Sequence, residues 1–165
     1  MPLLQVFTEA DCPVVWDADA LNLLAAHPEL LPLPEKDVVT PHPGEAARLL
    51  NSPVSQITRN PLEMLDALQV RCGCHALLKG ARTLMTNGER RAINRFGSPA
   101  MAKGGSGDVL TGICTALLAR LDGPADTLTT VQLAALVHGL AGMQAAEQLG
   151  ENHVTAQDII RCIRL

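Results

Sequence analysis

Three glycines and a serine, Gly104, Gly105, Ser106 and Gly107, run directly into Asp108, and an apolar pattern at helical spacing follows through Leu110, Ile113, Cys114, Leu117 and Leu121. The stretch Met101–Gly112 therefore predicts a flexible loop entering a helix. Glycine turns the backbone freely and lets a ligand approach the main chain, while the first amides of a helix have no partner within it. Such an end attracts an anion, most often phosphate. A carboxylate in the same place adds nothing to phosphate binding, so Asp108 needs a second role, as a base or an orienting group for a hydroxyl. Amides that stabilise a phosphate in transit, beside a carboxylate that readies the acceptor oxygen, suit phosphoryl transfer onto a hydroxyl.

Three other places carry candidate chemistry. Asp17 and Asp19 end a buried-looking run, Pro13–Trp16, just before a helical stretch. They stand either at the strand end where open α/β sheets bind ligands or simply as a helix cap, and the two readings weigh equally. His42 lies between Pro41 and Pro43 at a second strand-to-helix corner. Proline fixes φ and deters helix before it, so the corner is stiff and favours a ligand contact over surface filler. Lys79 closes a strand-like run against Gly80; it either reaches to solvent or meets phosphate, and phosphate is the preferred reading. Cys72-Gly-Cys74 lacks the Cys-x-x-Cys spacing and has no second ligand cluster, so it reads as ordinary thiols and no side-chain metal site is expected.

The elements that must position these groups follow from periodicity and punctuation. Residues 3–10 suit a short amphipathic helix, broken by Asp11-Cys-Pro13. A strand over 13–16 leads to a helix over 20–26, a proline-rich connection over 27–34, a strand over 37–40 and a helix over 45–50. Ser55–Val70 is amphipathic, with Pro61 in a first turn or a break. Strands over 75–79 and 83–86 come next, and Asn87-Gly88 predicts a two-residue hairpin turn returning through Arg90–Asn94. The glycine loop and its helix run to about Leu121, stopped by Gly123-Pro124. Thr127–Leu149 is apolar on nearly every side, which predicts a helix buried between other elements, with His138 structural. Thr155-Ala-Gln-Asp158 opens a last helix in the manner of a capping box. This order implies a layered α/β fold with active loops at the carboxyl edge of the sheet.

Bulk properties narrow the classes. A length of 165 residues suits one domain, and 47% hydrophobic residues supply a core. Lys and Arg number 13 against 17 Asp and Glu, a net charge of -4, so no broad basic surface is available and nucleic acid is excluded as a partner. No apolar run approaches the roughly 18 residues of a membrane span, and no leader pattern opens the chain, so a soluble, cytoplasmic protein is expected. The five cysteines are odd in number and scattered, which predicts reduced thiols. Aromatic residues make up only 2%, so a ligand would be held by main-chain and polar groups. Neither Gly-x-x-x-x-Gly-Lys-Ser/Thr nor a dinucleotide fingerprint occurs, since Leu110 stands where the latter needs glycine.

Asp17-Ala-Asp-Ala-Leu-Asn22, Thr40-Pro-His-Pro-Gly-Glu45, Lys79-Gly80 with Thr83, Asn94 with Gly97, and Ala102–Gly112 occur in this order. Together, from about Val14 onward, they closely resemble the ADP/ATP-dependent NAD(P)H-hydrate dehydratase family of the ribokinase-like superfamily. The resemblance implies a layered α/β/α sheet with helices on both faces. It implies repair of nicotinamide cofactors hydrated at C6: the nucleotide phosphorylates the C6 hydroxyl of the (S) form, phosphate leaves, and NADH or NADPH returns. By resemblance Asp108 is the catalytic base, and His42, Asp17 and Asn94 join it in contacting the hydrated cofactor. Lys79, Gly80, Ala81, Arg82 and Thr83 line the adenine nucleotide, and Gly104, Gly105, Ser106 and Gly107 the phosphate path. Magnesium accompanies ADP or ATP, and a homo-oligomer, a tetramer as in the family, is expected. Family members carry a further N-terminal part of the same domain, so residues 1–165 are expected to form one partial domain without the fold's first strands. Two rival readings are a vitamin-precursor kinase of the same superfamily and a nucleotide-binding fragment without catalysis.

Overall fold

The computed structural model describes residues 2–120 and 126–164. Within it the chain forms two compact units, residues 1–80 with 84–92, and residues 81–83 with 93–165.

The first unit opens with α1 (Pro2–Thr8), then β1 (Val15–Trp16), α2 (Asp19–Ala26), β2 (Val38–Val39), α3 (Pro43–Leu49), α4 (Val54–Arg59), α5 (Pro61–Cys72), β3 (His75–Leu78) and β4 (Thr83–Thr86). β5 (Arg91–Asn94) carries the chain on into the second unit. The strands form one mixed sheet in the order β1-β2-β3-β4-β5. β1, β2 and β3 are parallel, with Val15 opposite Val38 and Val39 opposite Ala76. β4 is antiparallel to β3, with Leu77 opposite Met85. Trp16, Leu21, Leu24, Val39, Ile57, Leu65, Leu68 and Ala76 build the core of this unit. Beneath β1, fully buried Asp37 accepts hydrogen bonds from Trp16 Nε1 at 2.8 Å and the Val14 amide at 3.0 Å, which joins the start of β2 to that of β1. Burial dominates these bonds and raises the Asp37 carboxyl above the usual aspartate range.

The second unit contains α6 (Ser106–Leu118), α7 (Thr127–Leu149) and α8 (Ala156–Arg161). Val109, Leu110, Ile113 and Cys114 of α6 and Val131, Ala134, Ala135, Ala141 and Ala145 of α7 are buried, as is Ile159 of α8. The alanines and glycines of α7 leave room for close approach of main chain. Thr155 caps α8 in a complete box with Asp158.

Several expectations shift. The amphipathic stretch over 55–70 is two helices, because Asn60 leaves helical geometry before Pro61 starts α5. The turn after β4 spans four residues rather than two: Asn87 Oδ1 accepts the amides of Glu89 at 3.1 Å and Arg90 at 2.8 Å, which wraps the chain about that side chain. α6 ends at Leu118, and the expected stop at Gly123-Pro124 lies outside the described residues. α7 is not buried all round. Leu133, Leu140 and Met143 share one side, away from Ala134, Ala141 and Ala145, and are exposed.

Candidate functional site

Because β1, β2 and β3 are parallel, their carboxyl ends open on one edge of the sheet. Asp17 follows β1, the Thr40–His42 corner follows β2, and Lys79 follows β3. Main-chain bonds pin these corners to one another: the Thr40 amide donates to the Trp16 carbonyl at 3.0 Å and the Lys79 amide to the Pro41 carbonyl at 2.8 Å. Lys79 Nζ consequently lies 2.7 Å from Asp17 Oδ1 and 3.9 Å from Glu45 Oε2. The three side chains are largely buried, so two carboxylates face one ammonium where water screens them weakly.

Glu45 is the member that sequence reasoning missed. His42 is the N-cap of α3, and its Nδ1 accepts from the amides of Gly44 at 2.9 Å and Glu45 at 3.4 Å. Glu45 Oε2 returns to accept the His42 main-chain amide at 2.8 Å, and Oε1 lies 3.3 Å from His42 Nε2. This is a capping box in which histidine takes the part usually played by Ser or Thr. The signal was present, since Glu45 stands three residues after His42, but histidine is not among the usual caps. His42 keeps 51% of its side chain exposed while Glu45 keeps 7%, so the ring is accessible and the carboxylate lies behind it.

At the Asp17–Asp19 corner neither aspartate is the N-cap residue of α2. The N-cap of α2 is Ala18, which has no side chain able to cap the helix. Asp17 turns to Lys79, and Asp19 meets Asn22 Nδ2 at 3.4 Å. Ala18 takes φ 49 and ψ -121, and the Ala20 amide donates to the Asp17 carbonyl at 3.1 Å. That is the second position of a type II′ turn, ordinarily glycine, and an alanine held there stores about 1–2 kcal/mol of strain.

In the second unit Gly105 supplies the left-handed entry to α6, at φ 86, and no side chain caps the helix. The Ser106 amide donates to the Lys103 carbonyl at 3.3 Å, and the amides that follow it in the first turn have no capping side chain. Gly104 is exposed, with nothing within 4 Å of the position its Cβ would take. Asp108 is exposed in the first turn, where the helix dipole favours a negative charge. Buried Ser106 places Oγ 3.3 Å from Nε2 of His138, also buried, which gives that histidine its structural task. Lys103 Nζ donates to the Asn152 carbonyl at 2.7 Å and fastens the loop. Asn94 is used inside the fold: Nδ2 donates to the Phe96 carbonyl at 3.0 Å and the Ala135 carbonyl at 2.9 Å, and Oδ1 accepts from the Phe96 amide at 3.2 Å. A ligand contact from Asn94 is left only the second lone pair of that oxygen.

Gly80, Ala81 and Arg82 form an exposed turn after Lys79, and Thr83 opens β4 half-buried. Cys72 and Cys74 are buried, and burial pushes the Cys72 thiol up to about 11, which makes it inert. Among the described residues no three His, Cys, Asp or Glu side chains are grouped to hold a metal ion.

The profile of the NAD(P)H-hydrate dehydratase family matches residues 1–165, so the likeness extends ahead of Val14. The bifunctional NAD(P)H-hydrate repair enzyme of Vibrio cholerae is 38% identical over 162 residues, covering 98% of this chain and 32% of its own length. The ADP-dependent (S)-NAD(P)H-hydrate dehydratase of Cenarchaeum symbiosum is 38% identical over 122 residues, covering 74% of this chain and 41% of its own. Among solved structures, the ADP/ATP-dependent NAD(P)H-hydrate dehydratase of Bacillus subtilis, co-crystallised with ATP/Mg2+, superimposes with a TM-score of 0.79 at 27% identity over 94% of this chain and 55% of that one. The chain thus spans about a third of the length of the bifunctional relatives and little more than half of the solved chain.

Proposed function

This chain belongs to the NAD(P)H-hydrate dehydratase family, and we propose that it carries the family's repair chemistry: ADP- or ATP-dependent dehydration of (S)-hydrated NADH or NADPH. The observation that carries this reading is the start of α6, where uncapped amides and an open glycine turn lead into exposed Asp108. Gly104, Gly105, Ser106 and Gly107 line the path of the phosphate in transit, with the amides of the three glycines turned to it and His138 holding Ser106 in place. Asp108 accepts the proton of the C6 hydroxyl as that oxygen attacks the terminal phosphorus of the nucleotide. The nucleotide leaves one phosphate shorter; the C6–O bond then breaks, driven by the ring-nitrogen lone pair, phosphate departs with the bonding electrons, and the resulting iminium loses its C5 proton to water to restore the C5–C6 double bond. His42 and Asp17 contact the hydrated cofactor, Asn94 orders the turn beside α7, and Lys79, Gly80, Ala81, Arg82 and Thr83 line the nucleotide. Magnesium, bound through the nucleotide's phosphates and water, would screen their charge. We place the protein in the cytoplasm as a homo-oligomer, a tetramer as in the family; the exposed Leu133, Leu140 and Met143 of α7 suit such an assembly.

The test is incubation with hydrated NADH and ADP or ATP. Reduced-nicotinamide absorbance should rise with one phosphate freed per NADH formed. A stable phosphorylated product would instead favour a small-molecule kinase, and bound nucleotide without turnover a non-catalytic fragment. Asp108→Asn should lower kcat by about 10²–10⁴-fold, and normal turnover in that variant would remove Asp108 as the base.

A further inference from the structure

We infer that Glu45 is a positioning residue which, with the Cβ-free Gly44, locks His42 in its Nε2–H tautomer, so that His42 meets its ligand with its ring held in one orientation. An N–H cannot donate to a nitrogen that carries its own hydrogen. His42 Nδ1 accepts from two main-chain amides, at 2.9 and 3.4 Å, so it presents a lone pair, and a neutral imidazole must then hold its proton on Nε2. Nε2 faces Glu45 Oε1 at 3.3 Å, an oxygen that only accepts. One carboxylate therefore serves both ends of the histidine, its main-chain amide through Oε2 and its ring through Oε1.

The carboxylate is itself held. Lys79 Nζ stands 3.9 Å from Oε2, and Asp17 bonds that ammonium at 2.7 Å. Gly44 is the other half of the device: a Cβ there would lie 2.8 Å from His42 Cε1 and 3.2 Å from Nδ1, and the ring would have to leave the helix end. Both ring nitrogens are thus engaged within the corner, and the half-exposed ring meets a ligand in a fixed orientation. The identity of that ligand, hydrated NADH or NADPH, rests on the function proposed above; the tautomer does not.

Long-range proton–nitrogen NMR correlation on the uniformly labelled chain at about pH 8, where imidazoles as a class are neutral, reads the tautomer directly. Peaks lost in His42→Gln identify the residue among the five histidines. The expected pattern is a single Nε2–H form. Glu45→Gln, with one acceptor oxygen where the carboxylate has two, should mix the tautomers. It should also lower kcat/KM for hydrated NADH about 10–100-fold, the loss of a charge-assisted hydrogen bond, mainly through KM. Gly44→Ala should mix the tautomers without altering any charge, and it decides the matter if Glu45→Gln does not fold. An Nδ1–H or averaged pattern in the unmodified chain, or an unchanged Nε2–H pattern in both variants, overturns the inference. A fixed Nε2–H form, lost in the variants, in a chain that makes no NADH upholds it and overturns the proposed function instead.

Discussion

A methyl group at Gly139 would test the packing behind the glycine loop. A Cβ there would lie 2.4 Å from the Phe96 carbonyl oxygen, 2.8 Å from its carbon and 3.1 Å from Asn94 Nδ2. Carbon–oxygen contacts close no nearer than about 3.3 Å, so the neighbour must retreat by roughly 1 Å. That neighbour is main chain, and it is tethered, because Asn94 Nδ2 bonds both the Phe96 and the Ala135 carbonyls. Helix propensity favours Gly139→Ala by up to about 1 kcal/mol. Overpacking costs about 1–3 kcal/mol, and each strained Asn94 bond puts about 1 kcal/mol more at risk. Net destabilisation of about 1–4 kcal/mol follows. Gly112 provides the opposite case: it is exposed on α6, and nothing stands within 4 Å of its Cβ position. Gly112→Ala keeps only the propensity gain and should stabilise by about 0.5–1 kcal/mol. Urea titrations followed by circular dichroism should place the Gly139→Ala midpoint below, and the Gly112→Ala midpoint above, that of the unmodified chain. A Gly139→Ala midpoint at or above the unmodified value would refute the close approach of residues 94–96 to α7.

Lys79→Met leaves the Asp17 and Glu45 carboxylates, 8% and 7% exposed, without their ammonium. The loss should be about 2–4 kcal/mol, the range for a broken buried pair reduced because Lys79 is partly solvated, and an unshifted urea midpoint would contradict the pairing. Burial lowers His75 below the usual histidine range, opposed by its bond to the Glu35 carbonyl at 2.9 Å. Because the folded value is depressed, the unfolded chain takes the proton first: the contribution is full above about pH 6.5 and drains as pH falls through the lowered folded value. His75→Gln should therefore flatten the acid side of the stability profile, and an unaltered slope between about pH 7 and pH 5 would exclude His75 as its source. Ala18→Gly relieves the positive φ of the Asp17–Ala20 turn and should raise stability by about 0.5–1 kcal/mol, whereas a fall would mean the turn is not strained.

Much of this protein is written locally. The glycine loop before Asp108, the stiff Pro-His-Pro corner, the box opening α8 and the full extent of α7 each depend on residues a few positions apart, where backbone sterics, orphan helix amides and apolar spacing act within one element. Short strands, the division of α4 from α5 at Asn60, and the Asn87-centred turn were less legible, because two or three main-chain and side-chain bonds decide them. The sites depended on distance across the fold. Lys79 and Asp17 are 62 positions apart and Ser106 and His138 are 32 apart. Asp17 had two equal readings from sequence, and the parallel order of β1, β2 and β3 adds what sequence could not show, that three strand ends meet at one edge with Lys79 beside it. Glu45 looked like one more helix residue until Lys79 stood behind it. Periodicity shows that a side chain turns inward; which charge it meets there depends on which strands are neighbours, and that is settled only when non-local pairing closes the sheet.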